Sequence, residues 1–363
     1  MYTHLHVRSA YTLLNSTLRI EDIVSYAKKY RLNSIALVDK NVMHGAMSFY
    51  HACKKGNIKP IFGLEIDCND ERLLKESTIY VSLEPCSHYG KTPPCADLII
   101  NKGIPRVVVG CMDPFSLVAG KGIQKMRDAG IDVTVGVLEE ECRHLIRRFI
   151  TFHTHQRPFI TLKWAQSADG FIDLHRTGGH PYIFSSPLSS MVVHKRRAEH
   201  AAILVGRKTA LLDNPSLTTR SWYGKNPVRM VIDKNLTLPR HLALFDGSTP
   251  TVVFTAQKET PELPQVEYIT LDFNRDILPQ IMDVLYQKKL QSLMVEGGSI
   301  LLQSFIDNNC WDEAYIEESD HRLSAGVQAP KIPLNFNSLT EKVFGKNILH
   351  ASNTMIKPEN TSE

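Results

Sequence analysis

Residues 292–298 read Ser292-Leu293-Met294-Val295-Glu296-Gly297-Gly298, and a helical pattern follows to Asn308. An apolar strand ends in a carboxylate, turns on two glycines and enters a helix. Glycines at such a turn let the backbone approach a phosphate, and the free amide groups at a helix N-terminus bind it. Alone the pair is weak, because many strand–helix turns use glycine for steric reasons. A second strand end repeats the theme. The strand expected at 201–205 runs into Gly206-Arg207-Lys208-Thr209, a loop rich in donors and cations. Two such ends suit a phosphate-bearing cofactor or substrate.

Outward from this stretch, strands are expected at 159–166, 201–205, 227–232, 251–255, 266–271, 292–295 and 312–317, with helices at 187–199, 275–288 and 298–308. The alternation argues for an α/β sheet covered on both faces. Upstream, residues 69–150 read as a second βαβαβ block. Its strands are expected at 78–83, 105–111 and 132–137, and its helices at 94–102 and 120–129. Gly103 and Gly130 stop those helices, and a charged helix starts near 139. Residues 1–68 form a third block: a strand at 2–7, a helix with Ile20, Ile23, Val24 and Ala27 on one face, a strand at 34–38, a helix at 45–55 and a strand at 60–66. The expected domains are therefore 1–68, 69–150 and 151–363. Residues 352–363 are polar, contain Pro358 and are expected to fray.

Bulk properties narrow the function. Of 363 residues, 43% are hydrophobic and 22% charged, the balance of a globular protein. A formal charge of +4 does not call for nucleic acid or a membrane surface, and no basic patch interleaved with aromatics exists. No apolar run reaches membrane-spanning length and the N-terminus lacks a signal-peptide pattern, so a cytoplasmic location is expected. In that compartment the seven cysteines are read singly rather than as a disulfide framework.

The sharpest motif is Pro85-Cys86-Ser87-His88-Tyr89-Gly90-Lys91-Thr92-Pro93-Pro94-Cys95. Two cysteines flank a loop, and the second opens a helix, a setting that favours thiolate and zinc. A catalytic zinc needs a third ligand, and deamination needs a glutamate to move protons. With Leu83-Glu84 before it and Asp113-Pro114 after it, this stretch resembles the deaminase half of the bifunctional riboflavin-biosynthesis deaminase–reductase. The resemblance implies a truncated cytidine-deaminase-like block, with Cys86 and Cys95 as zinc ligands and His88 and Lys91 in the substrate loop. The upstream His-Ala-Glu element of that family is absent. The expectation is a vestigial zinc pair and an inactive deaminase. The alternative is a zinc site completed by His4, His6 or His51.

His4-Leu5-His6-Val7, Ser9-Ala10-Tyr11, Ile35-Ala36-Leu37 and Gly63-Leu64-Glu65 resemble the start of the PHP domain of the bacterial DNA polymerase III alpha subunit. That family takes metal ligands from a His-x-His and an Asp-His pair. Here Arg8 and Lys40 stand at the second positions, and a cation cannot ligate a metal. His6, Asp39 and Glu65 remain. Polymerase and metallophosphatase activities are excluded, and residues 1–68 read as a partial PHP (β/α) fragment joined to an unrelated piece near 67–72.

Arg157-Pro158-Phe159, Ser167-Ala168-Asp169-Gly170, the run from Thr209 through Asp213-Asn214-Pro215 to Arg220, and Val295-Glu296-Gly297-Gly298 resemble the reductase half of the same riboflavin enzyme. The resemblance implies a dihydrofolate-reductase-like fold over 151–363 and NADPH as cofactor. It implies cofactor contacts at Ala165, Ile183, Thr209, Asp213, Lys234 and Gly298. Substrate contacts are implied at Lys163, Arg197, Leu217, Arg220 and Glu296, with the two arginines on the ribose phosphate. Ile183 and Lys234 depart from the tryptophan and the Ser or Thr of many members. The expected partners are a small phosphoribosylaminopyrimidine substrate and further copies of the chain, joined through the reductase domain. A non-enzymatic fusion product is the rival reading.

Overall fold

The structure is a computed structural model that describes residues 7–9, 16, 18–40, 42–65, 71–89, 92–114, 119–333, 337–343 and 345–353. His4, His6 and most of the strand expected at 2–7 lie outside the described residues, as do Lys91 and the tail from 354. The chain divides into two compact units. One holds residues 1–79, 89–107 and 125–133; the other holds 80–88, 108–124 and 134–363.

In the first unit, helix α1 (Ile20–Lys29) buries the four residues its periodicity selects, Ile20, Ile23, Val24 and Ala27. Glu21 and Asp22 in its first turn and Lys28 and Lys29 in its last complement the helix dipole. Strand β1 (Ser34–Lys40), helix α2 (Ala46–Gly56) and strand β2 (Lys59–Glu65) follow, and the two strands pair in parallel. Phe49 and Cys53 of α2 join Ile35 and Leu37 of β1 in one apolar cluster. A short helix α3 (Glu71–Leu74) comes next.

Strand β3 (Thr78–Leu83), helix α4 (Cys95–Asn101), strand β4 (Arg106–Cys111), helix α5 (Lys121–Asp128) and strand β5 (Asp132–Val135) follow, with the sheet order β3-β4-β5. Cys95 does open a helix. Helices α6 (Glu139–Leu145) and α7 (Arg147–His155) take the place of the single charged helix expected from 139. They meet at Ile146, whose backbone leaves the helical region at φ −101° and ψ 15°.

The second unit is built on a nine-stranded sheet. In chain order its reductase-like part runs β6 (Phe159–Gln166), β7 (Phe171–Asp173), α8 (Pro187–Ala198), β8 (Ala202–Gly206), α9 (Arg207–Asp213), β9 (Val228–Ile232), β10 (Thr251–Thr255), β11 (Val266–Thr270), α10 (Ile277–Gln287), β12 (Ser292–Glu296), α11 (Ser299–Asp307), β13 (Glu313–Glu318), β14 (Val327–Gln328), β15 (Asn337–Val343) and β16 (Lys346–Ser352). The large sheet has the order β11-β10-β9-β8-β12-β6-β13-β16-β15. It is parallel through β13 and antiparallel at β16 and β15.

One face of this sheet is apolar from β10 to β13. Phe254, Met230, Leu204, Val295, Leu162 and Ile316 pack there against Ile281 and Leu285 of α10 and Phe305 of α11. The other face changes character along its width. Over β8, β9 and β10 it is apolar, with Val205, Val231 and Val253 in a second core. Over β12, β6 and β13 it is polar. The register there aligns Glu296 with Lys163, Lys163 with Tyr315, and Ala165 with Glu317. A buried polar layer needs internal partners, and α8 lies over it with His194, Arg197 and Ser189 buried.

Candidate active site

A cavity of about 870 Å³ opens where the apolar half of that face gives way to the polar half. Its wall takes Lys163 and Ala165 from β6, Arg197 from α8, Thr209 and Asp213 from α9, and Glu296 with Gly298 from the β12–α11 turn. Ile183, Lys234 and Leu217 complete the expected set that reaches it. Arg220 does not; it is exposed and donates to the Ser216 hydroxyl at 2.9 Å.

The charged floor of the cavity is a fork. Arg197 Nε donates to Glu296 Oε1 at 2.9 Å and Nη2 to Oε2 at 2.6 Å, while Nη1 reaches the Thr218 carbonyl at 3.2 Å. Both residues are 9% exposed. Burial pushes the Glu296 carboxyl up, but Arg197, helped by Lys163, outweighs it and holds the group below the usual carboxylate range. Burial likewise pulls Arg197 down, and Glu296 more than restores it. Arg197 was expected on a phosphate; in this structure its fork closes on Glu296. Geometry of this kind is bidentate and charge-assisted, among the stronger hydrogen-bonding arrangements in proteins.

Lys163 stands beside this pair. Burial draws its ammonium below the ordinary lysine value; Glu296 and Glu317 resist, and Arg197 and Arg196 reinforce the fall. Among the described residues its Nζ makes no hydrogen bond or ion pair. Glu317 is itself occupied, accepting from Ser185 Oγ at 2.7 Å and Ser189 Oγ at 2.9 Å. The lysine thus faces the cavity with its donors unspent.

Next to Glu296, the β12–α11 turn explains its two glycines. Gly297 and Gly298 have φ of +74° and +77°, a region that costs any residue with a Cβ. A Cβ on Gly297 would sit 2.9 Å from Thr209 Cγ2, and one on Gly298 3.1 Å from Thr209 Oγ1. The turn therefore packs its bare backbone against Thr209, and the first residues of α11, whose amides have no partner within the helix, line the cavity. This cradle fits a phosphate-bearing dinucleotide.

Three participants gave no sequence signal. Arg176 ion-pairs with Asp213 and donates to Asp173 Oδ2 at 2.6 Å. Glu317 lies in a strand whose pairing sets its position. His194 is buried, with Nδ1 2.8 Å from the Thr218 carbonyl oxygen. Asp213 is pushed up by burial, and Arg176 opposes that rise only in part.

The zinc motif gives a different result. Cys86 is half-buried and Cys95 exposed. Among the described residues no three His, Cys, Asp or Glu side chains come together as a metal site. What the motif does hold is Glu84, 3% exposed, which accepts from the amides of Gly120 and Gly122 at 2.9 Å and of Asp113 and Ile123 at 3.2 Å. It thereby ties β3 to the start of α5. In residues 7–65, Asp39 accepts from the Ser9 amide at 2.7 Å and hydroxyl at 2.8 Å, and Glu65 pairs with Arg8 and with Lys40. The two cations at the expected ligand positions thus lie on Glu65, one of the two remaining carboxylates. No helix among the described residues is long and apolar enough to cross a membrane.

Comparison with known proteins bears on all of this. The family model described as the RibD C-terminal domain matches residues 158–316, and that of the PHP domain matches residues 4–138. The riboflavin biosynthesis protein RibD of Aquifex aeolicus is 42% identical over 250 residues, 67% of this chain and 68% of that protein. Its counterpart in Bacillus amyloliquefaciens is 40% identical over 268 residues, 72% of this chain and 71% of that protein. A solved structure from Thermotoga maritima, a diaminohydroxyphosphoribosylaminopyrimidine deaminase/5-amino-6-(5-phosphoribosylamino)uracil reductase, is 35% identical and superposes with a TM-score of 0.69, over 82% of this chain and 89% of that one. The α/β class expected from the sequence, with its dihydrofolate-reductase-like C-terminal region, stands with these matches. From the cavity's residues, the sheet that carries them and the extent of these likenesses, the chain belongs to the riboflavin biosynthesis protein RibD family.

Proposed function

We propose that residues 151–363 reduce the ribosyl group of 5-amino-6-(5-phosphoribosylamino)uracil to the ribityl form with NADPH, and that residues 69–150 no longer deaminate. The observation that carries the first half is the cavity itself. A dinucleotide cradle at Gly297–Gly298 adjoins a fixed Arg197–Glu296 fork, and the Lys163 side chain lines the same cavity with its donors unspent. When bound, the nicotinamide supplies the hydride. The protein's part is to orient and to exclude water. Lys163 offers donors to the carbonyl and hydroxyl oxygens of a pyrimidine riboside. Glu296, fixed by Arg197, offers acceptor capacity beside it, and Asp213 and Thr209 line the cofactor side. Lys234 and Ile183 shape the rim, with Ile183 75% exposed. The substrate's anionic phosphate would meet Arg220 only by a movement of its segment.

The second half rests on the donor set. No His-Ala-Glu element precedes Cys86 in the sequence, and among the described residues no three His, Cys, Asp or Glu side chains come together around the two cysteines, whereas zinc-assisted deamination requires a third ligand and a glutamate. The PHP-like residues 1–68 then have no metal role. Association of copies through the reductase region belongs to the same reading. A working bifunctional enzyme is the second reading, favoured by the 82% coverage of this chain by the Thermotoga deaminase/reductase.

The test is NADPH oxidation, followed near ~340 nm in the reduced nicotinamide band, with the deaminated pyrimidine in one cuvette and its undeaminated precursor in another. Oxidation with the first alone is expected. Oxidation with the precursor, accompanied by ammonia release, would establish the bifunctional reading. Oxidation with neither would remove the reductase assignment.

A further inference from the structure

The segment between β7 and α8 carries an arginine with no place in the site as read from the sequence. Arg176 lines the cavity and spends its whole guanidinium there. Nε goes to Asp173 Oδ2 at 2.6 Å, Nη1 to the carbonyls of Leu212 at 3.2 Å and Gly179 at 3.3 Å, and Nη2 to Asp213 Oδ1. Its side chain is 11% exposed, against 28% for Asp213. Asp173 Oδ1 in turn accepts from the amides of Leu174 at 2.9 Å and Tyr182 at 3.0 Å, which closes the segment into a loop around the arginine.

Two consequences follow from this wiring. The arginine joins the loop that carries Ile183 to the last turn of α9, through both the Leu212 carbonyl and the Asp213 carboxylate. It also uses one oxygen of Asp213 and leaves the other. No further side chain among the described residues bonds Asp213, so its second oxygen is an acceptor without a donor on the cavity wall. An oxygen of that kind is satisfied by a ligand hydroxyl or amide.

We propose that Arg176 is a positioning residue: it fixes Asp213 through Oδ1 so that Oδ2 accepts a hydrogen bond from a hydroxyl or amide of the bound dinucleotide. This rests on the NADPH reading for the identity of the ligand, and on geometry alone for the action of Arg176 upon Asp213. The charged groups facing Asp213 from the 171–186 segment are Arg176 and Asp173, while Lys208 and Lys234 line the same cavity. Of these Arg176 alone pairs with the carboxylate. Burial already pushes Asp213 toward its protonated form, and a protonated carboxyl is the poorer acceptor. Removing the arginine carries the group further in that direction.

The experiment has two readouts on the full chain, with Arg176→Met, Arg176→Lys, Asp213→Asn and the Arg176→Met/Asp213→Asn double variant. The first is the titration of Asp213 in the ligand-free protein by carbon NMR of labelled aspartates, its signal assigned by loss in Asp213→Asn. The expected result is a midpoint that rises by about one pH unit in Arg176→Met and returns toward wild type in Arg176→Lys. The second is the NADPH dissociation constant from nicotinamide fluorescence. Arg176→Met is expected to weaken binding about tenfold, the value of one charge-assisted hydrogen bond, and the double variant to bind no more weakly than Asp213→Asn. An unmoved midpoint overturns the proposal, as do additive effects in the double variant, since either means that Arg176 does not act through Asp213. A midpoint that moves in a protein with no affinity for NADPH leaves the positioning role standing and refutes the cofactor reading instead. Arg176→Lys guards against a folding defect, because it keeps the charge and the stem; failure of that variant to restore the midpoint also counts against the proposal.

Discussion

Two clusters in this chain hold the same ingredients, a glutamate between two cations, and differ in what they leave over. In residues 7–65, Glu65 takes Arg8 on one oxygen and Lys40 at 3.7 Å on the other, while Asp39 is held by the amide and hydroxyl of Ser9. In the reductase-like region, Glu296 takes the whole fork of Arg197, and Lys163 stays free at the edge of an 870 Å³ cavity. In the first cluster the carboxylates are taken up by Arg8, Lys40 and Ser9 and by further contacts beyond these. The second is closed on one side and open on the other. A site that acts on a small molecule needs groups that are fixed by the protein and still unsatisfied, and among the described residues the second arrangement offers that combination.

The largest expected effect comes from breaking the closed half of the open cluster. Glu296→Ala would leave the buried Arg197 guanidinium with the Thr218 carbonyl as its remaining partner. Removing one member of a buried pair costs about 3–5 kcal/mol, so thermal unfolding should show a large fall in midpoint together with loss of NADPH oxidation. A variant as stable as wild type would mean that the fork is not the anchor of this wall.

Removing the open half should do the reverse. Lys163→Met should lower kcat/KM about a hundredfold, as expected for loss of a general acid or a charged donor at a reacting centre, while leaving the fold intact. Its stability should also lose a pH dependence. Burial lowers the folded-state Lys163 below its unfolded value. Between those two values the unfolded chain binds the extra proton, so wild-type stability rises as pH rises through that window. In Lys163→Met that rise is absent, and the variant is the more stable protein near neutrality. Denaturant unfolding at a series of pH values reads both features. A Lys163→Met enzyme with wild-type turnover would sink the idea that free donors define the site.

The contrast between the clusters also explains what the sequence could and could not reveal. Ile20, Ile23, Val24 and Ala27 appear in the chain at helical spacing and are buried in the structure at that spacing, because local periodicity is enough to specify a face. Strand β10 matches its expected limits, Thr251 to Thr255, for the same reason; it is an apolar run bounded by turn residues and is buried throughout. Strand β15 escaped notice because six of its seven residues are exposed, and it exists through its pairing with β16. The Arg197–Glu296 fork spans 99 positions, and the Arg176–Asp213 pair 37. Neither separation corresponds to any local pattern. Resemblance supplied Lys163, Arg197, Asp213 and Glu296 as members of a site, but not that Arg197 would close upon Glu296 or that Arg176 would claim an oxygen of Asp213.

The smallest effect is expected at the closed cluster, where a small effect is the informative result. Glu65→Gln removes the carboxylate shared by Arg8 and Lys40, yet those side chains are 29% and 37% exposed and Glu65 is 31% exposed. Water screens ion pairs at that level of exposure, and each is worth about 0–1 kcal/mol. At that exposure the stability of the chain should change by less than about 1 kcal/mol and NADPH oxidation not at all. Arg8 makes the outcome less trivial than it looks, because its Nε is buried without a partner. If desolvation of that atom is already part of the folded protein's cost, loss of Glu65 will push the change toward the upper end of the range. A drop of several kcal/mol would show that Arg8 and Glu65 are a core element of this region rather than a screened pair, and a loss of turnover would tie residues 7–65 to the reductase chemistry and end the contrast between the two clusters.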